Sequence, residues 1–213
     1  MFHRATFLAG LAALALAGCT PSMHYPNATP EQVAAARYVD SGPTKLTLYT
    51  MISNRSEAGA HSSLMISAPS QRVVFDPAGS VRASNVPEVD DVLYGVTPEV
   101  AEFYARAHAR ETYRVRIQSI EVPPEVAEQA LRAAQAYGPV SQSFCTQATS
   151  SVLSQLPGFE GIHRTWFPRS LADQLAQMPG VTEQVLREQD SDDKQLAVAA
   201  FEQSAAADDQ PSR

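Results

Sequence analysis

The chain has 213 residues, of which 44% are hydrophobic and 18% are charged. This length is enough for one globular domain with its own core, and the composition excludes a coiled coil, a collagen-like chain and an intrinsically disordered chain. The formal net charge of -7 repels phosphate backbones, which excludes nucleic acid as an expected partner.

The first 18 residues have the organisation of a secretory signal. Arg4 supplies a short positive region, and residues 7–17 form an apolar run that is too short to span a bilayer. The run ends at Leu16-Ala17-Gly18, directly before Cys19. Residues 1–18 are therefore predicted to be a cleaved signal peptide.

The end of this signal resembles the lipobox of bacterial lipoproteins, in which the cysteine is acylated and the peptide is cut just before it. The resemblance implies that the mature protein begins at a lipid-modified Cys19, which anchors it to a membrane with its domain in the periplasm. The loss of Arg4 with the signal peptide would give the mature chain a formal charge of -8. Thr20 stands where an Asp would imply retention in the inner membrane, so the outer membrane is favoured. The alternative is an ordinary secretory signal in which Cys19 has no role.

The mature chain is predicted to begin with a flexible segment and to continue as a β meander. Residues 19–44, the lipidated cysteine and a tether, are rich in Pro, Ser, Ala and Asn, with one helical turn near residues 33–36. The folded domain spans residues 45–186. Alternating β-forming residues predict three strands in its first part, at residues 46–52, 60–67 and 71–76.

The second part of the domain is predicted to be mostly helical. Proline at the first helical position and apolar periodicity predict helices at residues 97–108, 123–137, 144–156 and 170–178, with a strand at 111–122. Residues 187–213 are acidic and contain few large apolar residues, so they are predicted to be a tail that is flexible and solvated, or loosely helical. The predicted fold class is α+β, with a small antiparallel sheet packed against helices.

Cys145 is the main candidate for a catalytic residue. The chain has two cysteines, so acylation of Cys19 would leave Cys145 as a free thiol in an oxidising compartment. With residues 141–143 as a cap, Cys145 lies in the first turn of a helix, where unpaired N–H groups and the helix dipole lower a thiol pKa. Cys145 is thus a candidate nucleophile, and the alternative is a small buried hydrophobic residue.

A thiol nucleophile needs a base, normally a histidine that is itself oriented by an acceptor. His61 opens the second predicted strand and Asp76 ends the third, so the meander should bring them together. His108, near the end of a helix, is expected at the surface. The predicted triad is Cys145, His61 and Asp76. The alternatives are a His61 bonded to a backbone carbonyl and an Asp76 that only opens a turn before Pro77.

The order of these residues resembles the circularly permuted branch of the papain-like NlpC superfamily, in which the histidine strand precedes the cysteine helix. The resemblance covers residues 46–159 and is carried by GAHSSLMI at 59–66, by VVFD at 73–76, and by Tyr137, which lies eight residues before the cysteine of Phe144-Cys145-Thr146. It implies a papain-like α+β fold of permuted order. It also implies that Cys145 is the nucleophile, His61 the base and Asp76 the residue that steadies the base.

The chain departs from the family pattern just before the nucleophile. Many members have Asn at this position, whereas this chain has Phe144. The support that this Asn gives around the oxyanion is therefore expected to be either absent or supplied by Gln142, Ser143 or Gln147.

The resemblance implies a lipid-anchored cysteine hydrolase or acyltransferase of the cell envelope, since family members act on cell-wall peptide crosslinks or on lipid acyl groups. The alternative is an inactive lipoprotein of the same fold that acts in binding or scaffolding. The chain lacks metal-ligand spacings and a glycine-rich phosphate loop, so we expect no metal and no cofactor. We also expect a monomer whose partners are its membrane and its substrate.

Overall fold

The computed structural model describes residues 26–208. The predicted signal peptide, Cys19 and the last five residues, 209–213, lie outside the described residues. The described chain has a mixed α+β fold with one antiparallel sheet, which confirms the predicted fold class at this level.

The sheet is open and larger than the sequence predicts. Its strands are β1 (Lys45–Ser53), β2 (Gly59–Ser67), β3 (Arg72–Phe75), β4 (Glu88–Val89), β5 (Val92–Leu93), β6 (Tyr113–Glu121) and β7 (Thr182–Leu186). Their order across the sheet is β4-β5-β3-β2-β1-β6-β7, and all neighbours are antiparallel. The predicted meander is thus its centre.

Six helices are present among residues 26–208. They are α1 (Pro30–Ala35), α2 (Pro98–His108), α3 (Pro124–Gln135), α4 (Cys145–Leu153), α5 (Pro168–Leu175) and α6 (Lys194–Asp208). No helix in this part of the chain combines the length and the apolar character needed to cross a membrane.

Hydrophobic clusters cover both faces of the sheet. Leu46 and Leu48 of β1 point to the cluster shared with α3, α4 and α5. Tyr49 and Met51 of the same strand point to the cluster shared with α2 and Val198 of α6. Because successive side chains of a strand alternate between faces, the central strands are buried on both sides. The start of α4 and the end of α2 thus lie on opposite faces of one sheet.

Residues 26–44 of the predicted tether are bonded to the domain. The Ala28 N–H donates to the Glu88 carbonyl at 2.8 Å, and the Arg72 N–H donates to the Tyr38 carbonyl at 2.7 Å. Asp40 forms an ion pair with the buried Arg72 at 3.1 Å. Composition indicated flexibility because this segment has few apolar residues, but backbone bonds and one buried ion pair attach it to the domain.

The tail, predicted to be flexible or loosely helical, is helical over most of its length, and one side of this helix packs on the domain. Residues 194–208 form α6, in which Val198 is buried and the ring of Phe201 stacks on Phe103 of α2 at 4.1 Å. Val198, Phe201 and the partly buried Ala197 hold this helix against the apolar cluster that includes α2. The composition of the tail alone does not reveal that cluster.

Candidate active site

His61 lies near the start of β2, in a part of the strand that β3 does not cover. β3 pairs with residues 64–67 of β2, whereas residues 59–63 pair with β1. Met51 lies opposite His61 and Ile52 opposite Gly59, so Ala60 is the extra residue of a β-bulge. A bulge changes the direction of neighbouring side chains, and the open edge leaves room for another element beside His61.

That element is the beginning of α4, which three hydroxyl groups attach to β2. The Ser62 hydroxyl donates to Thr146 Oγ1 at 3.0 Å, and both side chains are buried. Thr149 Oγ1 lies 3.3 Å from the Ser62 carbonyl oxygen and 2.9 Å from the Cys145 carbonyl oxygen. These bonds fix the first turn of α4 against the strand, so the Cys145 side chain is held next to His61.

Asp76 follows directly after β3 and is buried. Its Oδ1 accepts from His61 Nε2 at 2.6 Å and from the Tyr104 hydroxyl at 2.8 Å. Because Tyr104 has a single hydroxyl proton, it donates this proton to the carboxylate, and it accepts from the Ser63 hydroxyl at 2.7 Å. With Asp76 on Nε2, Nδ1 is the ring nitrogen left to face Cys145.

The turn after β3 is shaped around the Asp76 carboxylate. The Gly79 N–H donates to the Asp76 carbonyl at 2.9 Å, and a Cβ at Gly79 would lie 1.8 Å from Asp76 Oδ2. Only glycine therefore fits this position. The buried Asp91 accepts from the Ala78 N–H at 3.1 Å and from the Val140 N–H at 2.8 Å. Asp91 thus connects the Asp76 turn to the loop that leads into α4.

The His61 and Asp76 side chains stabilise each other's charged form. Burial lowers the pKa of His61, but the charge and hydrogen bond of Asp76, with a smaller effect of Cys145, outweigh burial and raise this pKa to about 9. Burial raises the pKa of Asp76, but His61, His108 and Tyr104 outweigh it and lower this pKa to about 2. The pair is therefore an ion pair at neutral pH.

The thiol has the electrostatic surroundings of a nucleophile. Burial raises the pKa of Cys145, but His61, the Ser62 backbone N–H and the Thr146 hydroxyl outweigh burial and lower this pKa to about 7. Near pH 8 the thiol is therefore mostly a thiolate beside a protonated imidazole. A thiolate is the reactive form of cysteine.

The first turn of α4 has no side-chain cap. The predicted cap by residues 141–143 does not form, because Ser143 adopts a positive φ of 73° and Phe144 becomes the N-cap residue. Gln142 and Ser143 are exposed and make no side-chain hydrogen bond to Cys145 or His61 within the described residues, while Gln147 accepts from Arg164 at 3.3 Å. The backbone N–H groups of the first turn can thus receive a negatively charged oxygen.

Sequence reasoning missed two residues of α2 that complete the site. His108 is 2% exposed rather than at the surface, and its ring lies parallel to that of His61 with centroids 6.0 Å apart. Tyr104 binds Asp76, as described above. The apolar periodicity of α2 places Tyr104 inward, and His108, four residues later, lies on the same face. This four-residue spacing is the sequence feature that could have predicted a buried His108 beside Tyr104.

Exposed aromatic side chains lie next to the thiol. Phe144, the residue before Cys145, packs edge to face on Trp166 with centroids 4.8 Å apart. Phe167 follows in the chain and is 70% exposed. An exposed apolar patch therefore borders the nucleophile.

Within residues 26–208, no cluster of three or more His, Cys, Asp and Glu side chains is arranged to bind a metal ion. No protein-family model matches the chain, and no curated protein or solved structure is significantly similar to it.

Proposed function

We propose that the protein is a lipid-anchored cysteine hydrolase or acyltransferase of the cell envelope, acting on an amide or ester bond of a cell-wall peptide or a lipid. The observation that carries the proposal is the His61–Asp76 pair, bonded at 2.6 Å, beside the Cys145 thiol at the start of α4. Support for a papain-like fold of permuted order comes from the chain order, in which the histidine strand precedes the cysteine helix. The lipid anchor rests on residues 1–19 of the sequence.

The first half of the reaction forms an acyl-enzyme. The Cys145 thiolate attacks the substrate carbonyl carbon, and the carbonyl electron pair moves to the oxygen. The Cys145 backbone N–H at the start of α4 stabilises this oxyanion. When the intermediate collapses, protonated His61 gives its proton to the leaving nitrogen or oxygen, which leaves a thioester on Cys145 and a neutral imidazole.

The second half of the reaction releases the acyl group. Neutral His61 removes a proton from water, or from the hydroxyl or amine of an acceptor, which then attacks the thioester. Collapse of the second intermediate returns the thiolate, and the acyl group leaves as an acid, or as a new ester or amide. Asp76 keeps the imidazole oriented through both halves and stabilises the imidazolium each time His61 carries the proton.

The proposal predicts an acyl-enzyme on Cys145. The purified protein is incubated with 4-nitrophenyl acetate near pH 8, and the acetylated residue is located by mass spectrometry. His61→Asn should slow acylation by about 100-fold or more, because the cation that stabilises the thiolate and the proton donor to the leaving group are both lost. His163→Asn is the matched control, because His163 is exposed and makes no side-chain hydrogen bond within the described residues.

Two results would contradict this function. Acetylation of Cys145 only after denaturation would show an inert thiol and would favour the binding or scaffolding role. Equal acylation rates in the wild type and His61→Asn would show that the imidazole does not activate the sulfur.

A further inference from the structure

A cavity of about 290 Å³ borders His61 on the face of the sheet that carries α2 and α6. Met51 and Tyr113 form part of its wall, and its polar lining includes His61, His108, Ser80 and Lys194. His61 also contacts Cys145. A chemical group bound in this cavity would therefore lie beside the imidazole of the proposed reaction.

Lys194, the first residue of α6, brings a positive charge to the cavity. Its Nζ donates to the Ser80 hydroxyl at 3.0 Å, and Lys194 makes no ion pair with a carboxylate within the described residues. An ammonium has three donors, so Ser80 accounts for one of them. Asp76 lies within electrostatic range, but its charge is already opposed by that of His61.

The lining also holds a buried acceptor without a donor. His108 Nδ1 lies 2.9 Å from the Tyr104 carbonyl, so Nδ1 carries the proton and Nε2 is an acceptor. This Nε2 is buried and has no hydrogen-bond partner. Buried polar atoms nearly always have a partner, and because His108 lines the cavity, its Nε2 can accept from a donor bound there.

We propose that this cavity binds an anionic group of the substrate, a carboxylate or a phosphate, with Lys194 as its charge partner. A nearby N–H or O–H of the same ligand would donate to His108. The protein's net charge repels anions in general, so an anionic substrate needs a local cation close to the reacting atoms. This inference rests on the proposed function and narrows its substrate class to anionic amides or esters.

The test measures how fast Cys145 reacts with matched alkylating reagents. The reagents are N-alkyl iodoacetamides whose chains of different length end in a carboxylate, a phosphonate or an uncharged amide. At low salt, the wild type should react about tenfold faster with the anionic reagent than with the amide at the best chain length, as one favourable ion pair implies. Lys194→Met should remove this preference, and Lys194→Arg should keep it.

Lys45→Met is the matched control, because it also removes one positive charge. Lys45 lies at the start of β1, far from His61, which pairs with Met51 near the other end of the strand. It should leave the preference unchanged. The phosphonate reagent distinguishes a carboxylate ligand from a phosphate ligand. An equal preference for both anionic reagents indicates that the cavity recognises charge alone, and a preference for one of them identifies the anionic group of the substrate.

The inference and the proposed function can fail separately. If Cys145 is acylated by 4-nitrophenyl acetate but Lys194→Met keeps the full preference for the anionic reagents, the proposed anion site is wrong and the proposed enzymatic function is still supported. If Lys194→Met fails to fold, a protection experiment on the wild type tests the anion site instead. The dianion glutarate should slow the alkylation of Cys145 by iodoacetamide, and the uncharged glutaramide should not. Equal protection by the two compounds, or none, overturns the inference.

Discussion

Asp76 receives two donors on one oxygen, and this arrangement explains how a single carboxylate orients the site. His61 Nε2 and the Tyr104 hydroxyl both reach Oδ1, while Gly79 packs against Oδ2. A buried carboxylate with two donors keeps its charge, so the imidazole bound to it keeps one orientation. Tyr104 is therefore a positioning residue that acts through Asp76.

Replacing Tyr104 tests this role. Tyr104→Phe should lower the free energy of unfolding by about 1.5–3 kcal/mol, because a buried carboxylate loses a donor. Asp76 should stay ionised in the variant, since its pKa of about 2 lies far below neutral, but with one donor fewer it should orient the His61 cation less firmly beside the thiolate and so move the pH midpoint of Cys145 alkylation upward. Urea unfolding and the rate of iodoacetamide alkylation against pH measure the two effects.

Tyr49→Phe is the control for this variant. Tyr49 packs edge to face on Tyr104, but its hydroxyl donates to the Met65 sulfur at 3.6 Å, which is a weak bond. Removing this hydroxyl should leave the alkylation midpoint where it is. An equal midpoint shift in both variants would mean that Tyr104 acts on packing and not on Asp76.

At the scale of elements, α6 positions Lys194 and depends on few apolar contacts. Val198 is buried, and Phe201 stacks on Phe103 of α2. The Ser84 N–H donates to Glu202 at 2.6 Å. Because these contacts are few, the docking of α6 should depend strongly on each of them.

Phe201→Ala should destabilise the docked helix by about 1–2 kcal/mol, through the loss of buried apolar area and of the ring contact. Hydrogen exchange of α6 amides should become faster while exchange in β1 and β2 stays slow. Leu196→Ala is the matched control, since Leu196 is 60% exposed and should have little effect. Unchanged α6 exchange in Phe201→Ala would show that the stacking does not hold the helix.

For the whole molecule, three buried groups with large pKa shifts contribute to the dependence of stability on pH. The pKa of Asp76 is lowered to about 2, so its contribution is present above its unfolded pKa near 3.8 and is lost as the pH falls towards 2. The pKa of His61 is raised to about 9, so its contribution is complete below pH 6.5 and is lost as the pH rises through 9. Neither contribution changes much between pH 4.5 and 6.

His108 has the opposite behaviour in that window. Burial, and then the charges of Lys194 and His61, lower the pKa of His108 to about 3. Between pH 3 and 6.5 the unfolded chain binds a proton at His108 that the folded protein does not bind. Its effect on stability therefore becomes more unfavourable as the pH falls.

His108→Asn should reduce the acid sensitivity of the fold, because Asn keeps a donor for the Tyr104 carbonyl and cannot take up the proton. Between pH 6 and 4.5 the free energy of unfolding of the wild type should fall more steeply than that of the variant, by about 1.4 kcal/mol per pH unit. His163→Asn, at an exposed site, should follow the wild type. Parallel curves for His108→Asn and the wild type would contradict a neutral buried His108.

Local patterns predicted much of the fold and not all of it. The alternation of apolar residues predicted β1, β2, β3 and β6, and the Pro-initiated periodic segments predicted α2 and α3. The missed strands were β4 and β5, which have two residues each, and β7, which is largely exposed. Such strands exist through pairing with a neighbour, and their own sequence carries no period long enough to detect.

The sequence by itself determined the α+β class and the central strands, because these depend on the local alternation of apolar residues. It also determined the choice of Cys145, His61 and Asp76 as candidate site residues, because that choice depends on the chemistry of the side chains. Tertiary structure alone decided that Tyr104 and His108 join them, that residues 26–44 and α6 pack on the domain, and that Lys194 reaches the cavity beside His61. These outcomes depend on contacts between segments far apart in the chain, and only the packed sheet brings such segments together.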